Sequence, residues 1–342
     1  MKAGTNSGTI KGLILAGGTG SRLRPITDRL PKQLIPVANK PILFYGIGDL
    51  VAAGITEIGM VVSPETGDQI RAAIGDGSSF GADVTYIVQP KPAGLADAVL
   101  VAEDFINGSC FVVYLGDNIV RDGITELVSD FDAREPEALI LLAAVADPSA
   151  FGVAEVVKKR VVRLVEKPKN PPSNLALVGV YLFSPAIFQT ARALSPSWRG
   201  ELEITEAIQG LIDGGADVRA EQICGWWKDT GTVSDLLAAN SLILGFQDLL
   251  VDGQVDPTSQ IRGPVVIERG AVVKNSIING PTLIGAGSEV ISSYVGAHCS
   301  VANSKIENSE FANSIISASP FADLHFEDSL VVAGQHLGGE LR

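Results

Sequence analysis

Histidine is scarce in this chain. The 342 residues include three, His298, His325 and His336. Everything before position 298 therefore has no His general base, no Ser-His-Asp triad and no His-ligated metal. Cysteine is equally sparse: Cys110, Cys224 and Cys299 lie far apart and share no metal-ligand spacing. Reduced thiols and a cytoplasmic protein are the expectation. No apolar run reaches the ~18 residues needed to span a bilayer, and the opening MKAGTNSGTI lacks the apolar core of a secretion signal. Basic residues are outnumbered, 26 against 39, for a net charge of -13. That balance opposes general binding to nucleic acid or to a membrane surface. The chemistry left to this chain uses carboxylates, Lys, Arg, backbone amides and, where a metal takes part, oxygen ligands.

What is present is core-forming material, 46% hydrophobic with 19% charged, over a length that suits about two domains. Apolar strand-like runs at 12–16, 58–63, 84–88, 110–115 and 138–144 alternate with helical patterns at 41–53, 67–74, 93–105 and 124–131. This repetition predicts an α/β domain with a mixed, mainly parallel, Rossmann-like sheet covered by helices. Further strands are expected within 153–185, and helices at 203–211 and 233–250. In such sheets ligands sit beyond the carboxyl ends of the strands. After a polar stretch the texture changes. Apolar residues recur every five or six positions at Ile261, Ile267, Val273, Ile278, Ile284, Val290, Val295, Val301, Ile306, Phe311 and Ile316. Asn-Ser or Asp-Ser pairs precede the apolar residues at 275, 303, 308, 313 and 328. That ladder predicts a parallel β-helix, with an irregular β-sandwich as the plainer alternative. The expected division is a tail over 1–10, a catalytic domain over 11–250, a linker over 251–260 and the β-helix over 261–342.

Residues 1–40 hold Lys2, Lys11, Arg22, Arg24, Arg29, Lys32 and Lys40 against one acid, Asp28. A basic cluster in an acidic chain suits a small polyanion, although a solvated face would look the same. Within it stands Leu15-Ala16-Gly17-Gly18-Thr19-Gly20-Ser21-Arg22-Leu23-Arg24-Pro25. Glycines after a strand let backbone N–H groups approach phosphate oxygens. The loop is neither a dinucleotide fingerprint, whose third Gly would fall at Leu23, nor a Walker A loop, since no Gly-Lys-Ser/Thr follows. Alone it could be an ordinary turn. Arg22 adds a charged fork, and Pro31-Lys32-Gln33-Leu34-Ile35-Pro36 adds a second cation on a stiffened loop.

This combination resembles the sugar-1-phosphate nucleotidyltransferase family. Further matches follow in order: Gln89-Pro90 with Gly94-Leu95-Ala96, Leu115-Gly116-Asp117-Asn118, Glu166-Lys167-Pro168, Val178-Gly179-Val180-Tyr181, Gly200-Glu201-Leu202-Glu203-Ile204-Thr205, and Trp227-Lys228-Asp229-Thr230-Gly231. Together they look like the glucose-1-phosphate thymidylyltransferases over residues 11–245. The C-terminal ladder is similar to the left-handed β-helix of their long form.

The resemblance implies transfer of a nucleotidyl group from dTTP to α-D-glucose 1-phosphate, giving dTDP-glucose and pyrophosphate, with Mg²⁺. It implies that Leu15, Gly17, Gly18 and Gly20 hold the nucleotide, and that Arg22 and Lys32 neutralise the β/γ-phosphates. Gln89 and Gly94 would read the pyrimidine, with Gln33 nearby, and Asp117 and Asp229 would bind Mg²⁺. Lys167 would take the sugar phosphate, while Asn118, Gly152, Glu166 and the Val178 backbone would meet sugar hydroxyls. Trp227 would line the site. Each has a plainer reading. Asp117 could cap a helix, Asp229-Thr230-Gly231 could be a turn, Glu166-Lys167 a surface pair, Gln89 a loop residue and Trp227 core packing. One departure stands out: Phe151 replaces the Tyr usual in short forms before Gly152, removing a hydroxyl. UTP, or another sugar 1-phosphate, remains the close alternative. A non-catalytic relative would have lost Arg22, Lys32, Asp117 or Asp229, and all four are present. The β-helix could also be an acyltransferase, but isolated histidines argue for assembly or regulation instead. A homo-oligomer, dimer or tetramer, is the expected assembly.

Overall fold

The computed structural model describes residues 9–340. The tail expected over 1–10 therefore lies, but for its last two residues, outside the described residues. The chain divides into two compact units, Met1–Gly18 with Leu43–Trp227, and Thr19–Ile42 with Lys228–Arg342.

The first unit is built on a nine-stranded sheet. Its strands are β1 (Lys11–Leu15), β2 (Glu57–Val62), β3 (Asp83–Val88), β4 (Phe111–Leu115), β5 (Ala138–Ala144), β6 (Gly152–Val157), β7 (Arg160–Glu166), β8 (Leu175–Phe183) and β9 (Val218–Gln222). The spatial order is β3-β2-β1-β4-β8-β5-β9-β7-β6. From β3 to β4 the neighbours run parallel, and β8 enters antiparallel to β4. The sheet is thus mixed, with its parallel half formed by the β-α repeats read in the sequence. Consecutive apolar residues such as Leu13 and Ile14 are fully buried, because helices cover both faces. The core runs through Val113, Phe111, Phe183 and Phe188. The helix expected at 93–105 begins at Leu95 and is divided into Leu95–Leu100 and Glu103–Ile106. Gly94, at φ 106, stands outside helical geometry and sets that start.

Among the described residues the second unit carries three sheets, seven, five and five strands strong and parallel except for the last strand of the seven, the arrangement of a left-handed parallel β-helix. The predicted ladder is its interior: Ile267, Val273, Ile278, Ile284, Val290, Val295, Val301, Ile306, Phe311 and Ile316 are buried, with Ile261 packed against them. The Asn-Ser pairs have separate tasks. Asn275, Asn303, Asn308, Asn313 and Asp328 all adopt positive φ, the left-handed corner that Asn and Asp tolerate best. The following serines are buried and link one coil to the next. Ser293, which follows Ser292 at φ 49, belongs to the same ladder: its Oγ donates to the Ile291 carbonyl at 2.7 Å and accepts the Ser309 N–H at 3.1 Å. Ser309 Oγ does the same for Glu307 and Leu324.

The stretch expected as a linker, 251–260, instead contributes to the first coil. Leu250–Val251, Gln254–Val255 and Gln260–Arg262 pair with the strands of the second coil. The preceding helix correspondingly ends at Leu244 rather than 250. Its polar residues misled because only one apolar residue per side turns inward in a coil. At the other end Gln335–Gly338 folds back antiparallel on Ser329–Val332 and covers the edge of the seven-stranded sheet. On the seven-stranded sheet, Val266, Leu283, Ser300, Ile315 and Leu330 stack in register. The Val233–Leu244 helix, started by a Thr232/Asp235 capping box, lies across this sheet.

Ser293→Ala would leave the buried Ser309 amide without its acceptor. It should cost ~1–3 kcal/mol, read as a lower urea midpoint for the β-helix. An unchanged midpoint would show that the serine ladder contributes nothing.

Candidate active site

The site residues expected from the sequence fall into two sets. Leu15, Gly17, Gly18, Gln89, Gly94, Asp117, Asn118, Gly152, Glu166, Lys167, Val178 and Trp227 belong to the first unit. Gly20, Arg22, Lys32, Gln33 and Asp229 belong to the second.

In the first unit, β1 ends at Leu15 and the chain turns at Ala16, whose N–H donates to Val61 at 2.7 Å. Gly17 follows beside Gln89: a Cβ there would lie 3.4 Å from Gln89 Oε1. Gln89 is buried, and its Nε2 donates to the Gly94 carbonyl at 3.2 Å and to Asp97 Oδ2 at 2.8 Å. Asp97 thereby sets which way the amide faces, a role not read from the sequence. Its position in the first turn after Gly94 was the available signal. Gly94 is pressed against Glu201 and Leu202. A Cβ on it would stand 2.5 Å from the Leu202 carbonyl oxygen. The Leu202 N–H donates to Ala93 at 2.7 Å, and its carbonyl accepts the Ala96 N–H at 3.0 Å.

At the end of β4 comes Asp117, and beside it Asn118 is buried. Asn118 Nδ2 donates to Asp117 Oδ1 at 2.8 Å, and its Oδ1 accepts from the Gly179 N–H at 3.3 Å and from Trp227 Nε1. Most of its hydrogen-bonding capacity is thus spent inside the protein. Asn118 thus ties Asp117, Gly179 and Trp227 together. The register of β8 against β5 skips between Leu177 and Tyr181. Val178 and Gly179 fall in that gap, and such irregularities expose backbone groups at sites. Phe151 packs its ring against Trp227 in an edge contact at 5.4 Å, so the residue that lacks the hydroxyl still builds the wall.

A third cluster forms around Glu166, at the end of β7. Thr205 Oγ1 donates to Glu166 Oε2 at 3.1 Å, and Gly152 adjoins both side chains. Lys167 Nζ and Arg199 Nη1 each lie 3.7 Å from Glu166 Oε1. Arg199 is further held by Glu201 at 3.0 Å and Glu203 at 3.4 Å. It is a cation that sequence reasoning passed over, although it directly precedes the quoted Gly200-Glu201-Leu202-Glu203 motif. Lys167 sits at φ 41, with its N–H bonded to the Phe151 carbonyl at 3.0 Å. Burial, followed by repulsion from Glu203, raises Glu166 above the usual carboxylate range. Lys167, Thr205 and Arg199 offset this only in part.

In the second unit, Gly20 takes φ 64 and packs against Lys32, which is buried. Thr27 Oγ1 donates to the Gly20 carbonyl at 2.9 Å and closes the loop. The Arg22 guanidinium lies against Gly231, where a Cβ would be 2.6 Å from Nη2. Asp229 is two residues from that contact, at the end of the strand Trp227–Asp229. Gln33 is buried in the turn Lys32–Leu34. Among the described residues no three His, Cys, Asp or Glu side chains group together as a metal site, and no helix is long and apolar enough to cross a membrane.

The raised Glu166 carries a stability consequence. Its ionised form is less favourable in the folded protein than in the unfolded chain. Stability is therefore lost as pH rises from the ordinary glutamate value, ~4.3, through the raised one. Glu166→Gln should raise Tm at pH 7–8, and the gain should vanish near pH 4. A variant less stable than the parent at neutral pH would contradict this.

Residues 11–245 match the family model described as nucleotidyl transferase. The chain is 52% identical to the glucose-1-phosphate thymidylyltransferase of Streptomyces griseus, across 90% of this chain and 87% of that one. It is 44% identical to the low-salt glycan biosynthesis nucleotidyltransferase Agl11 of Haloferax volcanii, across 96% and 94%. A Bacillus anthracis crystal structure described as a putative glucose-1-phosphate thymidylyltransferase in complex with a sucrose superposes with a TM-score of 0.65 at 40% identity. It covers 68% of this chain and 94% of that one. The chain belongs to the nucleotidyl transferase family and, within it, to the glucose-1-phosphate thymidylyltransferases.

Proposed function

We propose that this nucleotidyltransferase joins dTTP to α-D-glucose 1-phosphate, releasing pyrophosphate and forming dTDP-glucose. The observation that carries the reading is the Glu166 cluster. Two held cations, Lys167 and Arg199, flank a partly buried carboxylate. That pairing suits a ligand with a phosphate at one end and hydroxyls at the other.

In the reaction a phosphate oxygen of the sugar 1-phosphate attacks the nucleotide α-phosphorus. A new P–O bond forms as the bond to the bridging oxygen breaks, and that electron pair leaves with pyrophosphate. Catalysis of this kind is positioning and charge neutralisation. Lys167 and Arg199 bind the entering phosphate, and Glu166 and the Val178 backbone orient the sugar. Gln89, steadied by Asp97, reads the base, with Gly94 and Gln33 assisting. Leu15, Gly17, Gly18 and Gly20 leave room for the triphosphate, and Arg22 and Lys32 take up charge on the departing pyrophosphate. The donor set fits Mg²⁺, a hard cation that uses one or two carboxylates and fills its shell with phosphate oxygens and water. Asp117, oriented by Asn118, and Asp229 would hold it. When bound, Mg²⁺ supplies charge neutralisation at the phosphates.

A homo-oligomer, dimer or tetramer, is the assembly we infer. Phe246, Leu249, Leu250 and Val251 are exposed around the first coil, whose edge strands invite covering. Light scattering that shows only monomer would remove this part of the reading.

With dTTP, UTP and GTP compared at fixed glucose 1-phosphate, dTTP should give the highest kcat/KM. A higher value for UTP or GTP would overturn the nucleotide assignment. Arg199→Ala should raise KM for the sugar phosphate about tenfold or more, the loss of a charge-assisted bond worth ~1.5–3 kcal/mol. Its KM for the nucleotide should stay near the parent value. A change confined to the nucleotide would remove Arg199 from this role.

A further inference from the structure

The second unit contains a connection that the chemistry above does not use. Directly after the Lys32–Leu34 turn comes a hairpin, Pro36–Val37 with Lys40–Pro41. Its two tip residues, Ala38 at φ 46 and Asn39 at φ 61, have the paired positive φ of a tight primed turn. The tip is fastened twice. The Ala38 N–H donates to Asn240 Oδ1 at 2.8 Å. Asn39 Nδ2 donates to the Val301 carbonyl of the β-helix at 2.9 Å. Asn240, fully buried, donates in turn to the His298 carbonyl at 3.0 Å, and Ser241 Oγ meets His298 Nδ1 at 2.7 Å. Ala38 also packs with Leu244 of the helix and Leu283 of the β-helix. Gly285 leaves space for the tip, since a Cβ there would lie 2.5 Å from Asn39 Nδ2. Back from the tip, the Ile42 N–H donates to Ile35 at 3.1 Å, and the Ile35 N–H to Lys32 at 3.2 Å. Every link from the β-helix to Lys32 is a hydrogen bond or a hairpin pair.

We propose that the β-helix is a positioning device for the phosphate-binding cation. Asn39, Asn240 and the coil His298–Val301 form a lock that holds the hairpin, and the hairpin sets where Lys32 stands. Surface packing alone would not require two asparagine bonds to backbone groups, one buried and one partly buried. An apolar tip would bury as much and specify less. The kinetic part rests on the reading of Lys32 as the group that meets the nucleotide phosphates. The structural part stands apart from it.

Two variants separate the lock from the turn. Asn39→Gly keeps a residue that accepts positive φ and removes only the tether. Gly285→Ala leaves the hairpin sequence intact and pushes the Asn39 amide away from Val301. In each, peptides covering 31–42 should lose amide-exchange protection. Nucleotide kcat/KM should fall about tenfold, the scale of a misplaced charged group, with KM for the sugar 1-phosphate unchanged. The double variant should be no worse than the single ones, because both break one bond. Unchanged protection in 31–42 overturns the lock. Lost protection with unchanged nucleotide kinetics overturns its role in positioning Lys32. A parent enzyme without turnover would count against the functional reading, while the exchange result still decides the lock.

Discussion

Two phosphate-bearing reactants repel each other, and the chain that would join them is itself strongly acidic. Positive charge is therefore useful only where it is held in place. Arg199 lies within reach of three carboxylates, Glu166, Glu201 and Glu203. Lys32 is buried beneath Gly20, and Arg22 lies against Gly231. A lysine or arginine loose on the surface loses much of its effect to solvent and salt. The surrounding acids have a cost, visible in the raised Glu166, whose burial and proximity to Glu203 disfavour its charge.

Neutral amides do much of the orienting. Asn118 joins Asp117, Gly179 and Trp227. Gln89 joins Gly94 and Asp97, and Asn240 joins the hairpin tip to the β-helix. An amide offers a donor and an acceptor on one rigid fork and adds no charge. Each of these is buried, where an unmet hydrogen bond is expensive. Their geometry is accordingly strict, and Asn118 transmits it to the charged Asp117 beside it.

The legible parts of the sequence were those with a period or a strict backbone demand. The β-α alternation announced β1 to β5, because strands covered on both faces must be apolar throughout. The ladder from Ile267 to Ile316 announced the β-helix interior, and its Asn residues marked corners that require positive φ. Residues 251–260 were read as a linker because the first coil has little apolar material on which to show a period. Arg199 and Asp97 were missed for another reason. Glu166 lies 33 positions from Arg199, and Gln89 stands in the loop before the helix that carries Asp97, so no period of a single element links either pair. The convergence of Gly179 and Trp227 on the Asn118 oxygen likewise leaves no mark in the sequence.

The sequence by itself determined the local elements and the chemical vocabulary. There were glycines where backbone must come close, cations in an otherwise acidic chain, carboxylates for a hard metal, and no histidine for covalent or acid-base work before position 298. It also determined membership of the family, since ordered motifs survive without coordinates. Tertiary structure decided which cation faces which carboxylate, which amides are already spent, and that a hairpin beside Lys32 is fastened to a coil more than 250 residues later, across |i−j| = 262. Contacts of that range arise when separate elements pack. A hydrogen bond between distant residues leaves no periodic trace in either segment.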